Sequence, residues 1–225
     1  MKSDVEIQKD VIDQLTWEPI LYDTEIGIAV KNGVVTLSGT VSNYFQKVAA
    51  EHAVKKVAGV KALAENIIVG ITADFVRSDT ELADAVVHAL KWNISVPDDR
   101  IMVKVENGVV SLEGELEWDF QRAAAETSVV HIAGVKMVNN FITIQPKITP
   151  INIKQKIAES FERSATIDAG KIDVEVNGGK VTLNGKVRSF AEQDDAITAA
   201  WSAPGVSEVI NNLELETIEY EWGNV

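Results

Sequence analysis

Residues 26–41 read IGIAVKNGVVTLSGTV, residues 101–116 IMVKVENGVVSLEGEL, and residues 172–187 IDVEVNGGKVTLNGKV. In the first stretch Ile26, Ile28 and Val30 alternate with Gly27, Ala29 and Lys31, and Val35, Leu37 and Val41 alternate after Asn32-Gly33. Alternation with period two marks half-buried strands, and Asn-Gly is the preferred pair for a two-residue type I′ turn because both positions need positive φ. Such a turn sets Val30 opposite Val35 and Ile28 opposite Leu37, so the apolar positions share one face. Asn107-Gly108 and Gly178-Gly179 occupy the same place in the other two stretches. Gly39, Gly114 and Gly185 fall on the inward face, where the missing side chain is expected to let a helix approach.

Working outward, the match extends well beyond the hairpins. A shift of 75 lays Gly33, Gly39 and Gly59 on Gly108, Gly114 and Gly134, and a further 71 lays these on Gly179, Gly185 and Gly205. Residues 3–69, 78–144 and 149–215 therefore align without an internal gap, which is the signature of tandem duplication. Each copy opens with an amphipathic helix carrying Ile7, Val11 and Leu15, then Leu82, Val86 and Leu90, then Ile153, Ile157 and Phe161. Ser3 with Glu6 and Ser78 with Glu81 have capping-box spacing, and Thr149-Pro150 predicts an N-cap followed by proline at the first helical position.

A second helix brings small residues to the sheet: Ala50, Ala53 and Val54, then Ala125, Ser128 and Val129, then Ala196, Ala199 and Ala200. Gly59, Gly134 and Gly205 are expected at C′ of that helix. A third strand closes each copy through Ile67, Ile142 or Leu213. The fold class is α+β: three tandem α-β-β-α-β units, each a three-stranded mixed sheet with two helices on one face. The linker 145–148 spans roughly 13–14 Å when extended, which makes the second and third units neighbours. Phe75 and Val76 predict a packed first linker, and residues 216–225 form an acidic tail containing Tyr220 and Trp222.

Composition narrows the function classes. The net charge of −13 is spread as −3, −6 and −3 over the copies. Such a surface repels nucleic acid, whose binding depends on lysine and arginine displacing counterions. Without cysteine there is no disulfide, thiolate metal site or cysteine nucleophile. No transmembrane segment is expected, since no run approaches ~18 apolar residues. Met1–Asp10 lacks the apolar core of a signal peptide, which places the chain in the cytoplasm if Met1 is the native start and in the periplasm if a leader has been removed.

An apolar strand, Asn-Gly-Val-Val-(Thr/Ser)-Leu-x-Gly, an alanine-rich helix and Ala-Gly-Val before an Asn-containing strand together resemble the BON domain. That family is named for bacterial osmotic-shock-inducible (OsmY) and nodulation proteins, and the resemblance covers all three copies. It implies a non-enzymatic module without cofactor that associates with phospholipid or membranes, often in osmotic or envelope stress. The partners implied are phospholipid headgroups or another protein, and self-association into a homo-oligomer stays open. The glycines lie inside a hairpin rather than between a strand and a helix, so they are no dinucleotide-binding motif.

Several residues compete for a role. Trp17 and Trp92 occupy aligned positions after the first helix, where the third copy has Arg163. They lead into Ile20, Leu21 and Tyr22, or into Ile94 and Val96. Such loops either enter a membrane interface or cap a core and join two domains, and the second is the favoured reading. Lys180, Lys186 and Arg188 form the best basic patch, a candidate for phosphate headgroups, with intramolecular pairing to Asp173 and Glu175 as the plainer alternative. Glu113, Glu115 and Glu117 alternate along a strand as a weak cation candidate, with a solvated sheet face as the alternative. His52, His88 and His131 recur at no aligned position and read as solvated helix residues. Asp98-Asp99 reads as turn chemistry. No nucleophile, base and orienting partner recur together, so an enzyme is not expected.

Overall fold

The computed structural model describes residues 2–70, 77–148 and 151–216. Among these residues six α-helices and nine strands follow one another in the order α-β-β-α-β, three times over. The first unit comprises α1 (Asp4–Thr16), β1 (Glu25–Lys31), β2 (Val34–Val41), α2 (Tyr44–Lys55) and β3 (Ala62–Val69). The second comprises α3 (Asp79–Trp92), β4 (Ile101–Glu106), β5 (Val109–Leu116), α4 (Asp119–Val130) and β6 (Met137–Ile144). The third comprises α5 (Ile153–Arg163), β7 (Ile172–Asn177), β8 (Lys180–Val187), α6 (Phe190–Trp201) and β9 (Glu208–Leu215). In each sheet the hairpin is antiparallel and the third strand runs parallel to the second, which lies in the middle. Val30 pairs with Val35 and Ile28 with Leu37, the register the alternation demands.

Each unit closes its own interior. Ile7, Val11 and Leu15 of α1 meet Val35, Leu37 and Val41 of β2 and Ala50, Ala53 and Val54 of α2, all buried. The other two units repeat this with Leu82, Leu112 and Val129, and with Ile157, Leu183 and Ala200. Both serine capping boxes form, at Ser3 with Glu6 and at Ser78 with Glu81. Thr149 and Pro150 lie outside the described residues, as do Phe75, Val76, Tyr220 and Trp222. The third unit's first helix starts only at Ile153, after Asn152 in the left-handed region at φ 53°, so the N-cap expected at Thr149 is not where the helix begins.

Two glycine expectations need correction. At Gly39 and Gly185 (φ 137° and 134°) an added Cβ would meet the carbonyl oxygens of Glu25, at the start of β1, and of Lys171, immediately before β7. It is the strand partner, not a helix, that excludes a side chain there. Gly59, Gly134 and Gly205 are left-handed but stand three residues beyond the capping residues Lys56, His131 and Ser202. They shape the turn into the third strand rather than the helix end. In that turn Lys61, Lys136 and Ser207 donate their N–H groups to the carbonyls of Gly33, Gly108 and Gly179, which ties the loop to the hairpin tip.

The hairpin tips differ in their own turn residues, Asn-Gly against Gly-Gly, and in what braces them from outside. Asp4, at the start of α1, accepts the N–H groups of Asn32 (2.7 Å) and Gly33 (2.9 Å), and Asp79 accepts those of Asn107 (2.7 Å) and Gly108 (3.0 Å). Charge-assisted bonds of this kind fix the turn in the type I′ form, with both central residues at positive φ. The third copy has Pro150 at the aligned position and no carboxylate to offer. There only Gly178 has positive φ (61°), the arrangement of a type II′ turn.

The second helices join the units. Tyr44, Phe45 and Val48 of α2 pack against the core of the second unit, with the Phe45 ring 4.1 Å from that of His131 at the end of α4. Arg122 of α4 lies 4.4 Å over the ring of Trp201 at the end of α6, and Trp201 packs against the cores of both the second and third units. Phe190 of α6 packs against the core of the first unit, and Asp194 pairs with Lys55 at the end of α2 at 3.4 Å. In each seam the first half of one second helix meets the last turn of the next. A head-to-tail contact repeated three times and returning to its origin closes a ring. His131 is exposed, as expected of a solvated helix histidine, and in addition packs its ring against Phe45 at this seam.

Candidate functional site

The loop between first helix and first strand is the most distinctive surface of the first two units. Trp17 caps α1, its N–H bonded to the Asp13 carbonyl at 3.0 Å, and Trp92 is the last residue of α3. A short 3-10 turn follows in each unit, at Pro19–Leu21, Asp98–Arg100 and Ala169–Lys171, so Asp98-Asp99 is turn chemistry as read. One apolar residue plugs each loop into its core: Leu21, Val96 and Ile167 are all buried. Side chains brace the loops further. Gln46 Nε2 donates to the Ile20 carbonyl (3.1 Å), and Asn93 Nδ2 donates to Ser128 Oγ (2.9 Å).

Mounted this way, the aromatic side chains point to solvent. Trp17 is 82% exposed, Trp92 86% and Tyr22 85%, and Ile94 is fully exposed. The favoured sequence reading, that the tryptophans cap a core or join two domains, is therefore corrected. Leu21 and Val96 fill the loop's core position, and Phe45, Trp201 and Phe190 make the three seams. Lys91 beside Trp92 and Arg163 have no ion-pair partner among the described residues.

The basic patch is largely consumed internally. Arg188 Nε donates to Glu192 Oε2 at 2.9 Å and its Nη2 to the Thr166 carbonyl at 2.9 Å. Glu192 is only 3% exposed and also accepts the N–H groups of Asp168 and Arg188. Burial would raise its pKa, but the hydrogen bonds from the Arg188 side chain and the two amides outweigh it and hold the carboxyl below the ordinary range. Gln46 and Gln121 fill the aligned position and brace the same loop neutrally, so Arg188 is the counter-ion a glutamate requires there. Lys180 pairs with Glu208 at 2.9 Å, directly across the sheet, rather than with Asp173 or Glu175. Lys186 alone of the three is exposed without an ion-pair partner among the described residues.

The acidic trio does not converge. Glu113 lies across the sheet between Met102 and Phe141, whereas Glu117 stands beyond the strand and pairs with Arg100 (3.2 Å) and Lys147. Lys147, and after it Arg100, hold the Glu117 carboxyl below its usual range. Among the described residues no group of three or more histidine or carboxylate side chains is placed to hold a metal ion. Nor is any helix among the described residues long and apolar enough to cross a membrane.

Three copies of one α-β-β-α-β unit, each with a glycine-punctuated hairpin, define a chain of tandem small α+β modules. The BON domain profile matches residues 3–70, 78–146 and 152–217, and the chain belongs to that family. Among characterised relatives, osmotically-inducible protein Y of Escherichia coli (strain K12) is 30% identical over 125 residues, covering 53% of this chain and 62% of the relative. The matched part thus spans less than two thirds of that protein. A solved structure of CdsD, described as a structural protein of the type III secretion system of Chlamydia trachomatis, is 18% identical. The match covers 94% of this chain and 92% of that one with a TM-score of 0.27, too slight a likeness to carry any inference.

Proposed function

We propose that this chain is a non-enzymatic, membrane-associated binding protein of osmotic or envelope stress, organised as modules 3–69, 78–144 and 149–215 with the tail 216–225. It docks on phospholipid through the loops of Trp17 and Trp92. The observation that carries this reading is the pair of braced, solvent-facing indoles at aligned positions, each beside exposed aliphatic side chains. Indole rings favour the boundary between headgroups and acyl chains, where an apolar body and a polar N–H are both accommodated. Lys91, Arg163 and Lys186 supply local cations against the acidic mean charge, whereas Lys180 and Arg188 are committed within the fold. Family membership and the osmotic induction named in the relative support the stress setting.

Flotation with vesicles of phosphatidylcholine and phosphatidylglycerol at low salt tests the proposal. Each indole withdraws on the order of 100 Å² from water on docking, so the Trp17→Ala/Trp92→Ala variant binds at least about tenfold more weakly. Failure of the unaltered protein to float rejects membrane docking, and equal flotation by the variant rejects the loops. A protein-interaction scaffold is the second reading. It is favoured by the open sheet face of the second unit, where Met102, Met137 and Phe141 are exposed. Light scattering and a pull-down that the Phe141→Ser variant abolishes would support it over lipid.

A further inference from the structure

Beside the Trp17 loop, the first unit has a groove of about 380 Å³ between α1 and β1, lined by Ile12, Leu15, Leu21, Tyr22, Ile26 and Ile28. This falls within the range of small-ligand sites, roughly 300–1,000 Å³. Thr16 and Thr24 complete the wall, but their hydroxyls already donate to the carbonyls of Ile12 (2.8 Å) and Leu21 (2.7 Å). Apart from the Tyr22 phenol at the rim, the side chains of the lining offer no free hydrogen-bond donor, since both threonine O–H groups are already committed. A carbonyl or phosphate oxygen seated there would find no side-chain donor within the groove to replace the water it lost. Strand β1 is a sheet edge, which raises the alternative of an added peptide strand, yet the Ile28 carbonyl already accepts from Gln8 Nε2 at 2.9 Å.

The sister units mark the groove as particular to the first. At the positions of Thr16, Tyr22 and Thr24 the second unit has Lys91, Pro97 and Asp99, and the third has Glu162, Asp168 and Gly170. Only the first copy keeps this wall uncharged, and it is also the copy whose loop exposes Trp17, Ile20 and Tyr22. We propose that the groove holds one hydrocarbon chain of a membrane lipid, with the headgroup outside at Tyr22. This rests on the membrane reading above and names the part of the lipid that the first unit takes.

The test uses the full chain and dodecyl maltoside below its micelle concentration, followed by methyl NMR. The expected result is contacts from the alkyl chain to the Ile12 and Ile26 methyls. The variant Thr16→Lys/Thr24→Asp carries the charges the second unit already folds with, and it binds about tenfold or more weakly. Absent contacts, or contacts of equal strength in that variant, overturn the groove. So do β1 amide shifts on adding an extended apolar peptide when the detergent touches no groove methyl, since they assign the site to strand addition. Flotation of the unaltered protein and of Trp17→Ala/Trp92→Ala is scored separately. Membrane docking can therefore stand while the groove falls, and loss of flotation by the unaltered protein removes the membrane reading itself.

Discussion

Replacing Gly185 by alanine lowers the unfolding free energy of the third unit by about 3 kcal/mol, the sum of a strained backbone and a forced strand separation. The position holds φ at 134°, and a Cβ there would run into the Lys171 carbonyl immediately before the paired strand. That carbonyl cannot step aside, because Ile172 next to it is paired with Gly185 in the ladder. Urea unfolding followed by circular dichroism reads the effect as a separate early transition. Thr182→Ala, on the partly exposed face of the same strand, should stay within about 0.5 kcal/mol of the unaltered protein. A Gly185→Ala chain as stable as the parent would mean that the sheet accommodates a side chain there.

Trp201→Ala should cost about 3 kcal/mol, within the usual range for truncating a packed tryptophan. The indole is half-buried, touches the cores of the second and third units, and carries the Arg122 guanidinium on its face. Its removal takes away both the apolar contact and the cation–π attraction. Calorimetry should then show the joint melting of these units split into two steps. Trp17→Ala provides the contrast: its indole is 82% exposed, so the melting temperature should not move. An unchanged, single transition in Trp201→Ala would mean that this seam contributes nothing.

The units were legible in the sequence because their determinants repeat: the hairpins around Asn32-Gly33 and Asn107-Gly108, the serine capping boxes, and the alanine face of the second helix. The seams were not, because they are built from positions where the copies differ. Tyr44, Asp119 and Phe190 align, as do Val48, Ala123 and Asp194, and Lys55, Val130 and Trp201. A repeat comparison treats such positions as noise, although they carry the contacts that set each unit against its own neighbour. The candidate site was legible in part. The tryptophans stood out, but their exposure depends on Leu21 and Val96 filling the core position within the same loop. Arg188 looked available until its i+4 partner Glu192 proved buried in a place its sisters fill with Gln46 and Gln121. That signal was present in the alignment of the copies.

Zero-length carbodiimide cross-linking with peptide mass spectrometry tests the closure of the ring most directly. The Lys55–Asp194 pair, 3.4 Å apart between the first and third units, should form an amide within the monomer. The Lys180–Glu208 pair, 2.9 Å apart within the third unit, should form one alongside it. Recovery of the second link without the first, or of the first only in covalent dimers, would contradict a ring closed within one chain.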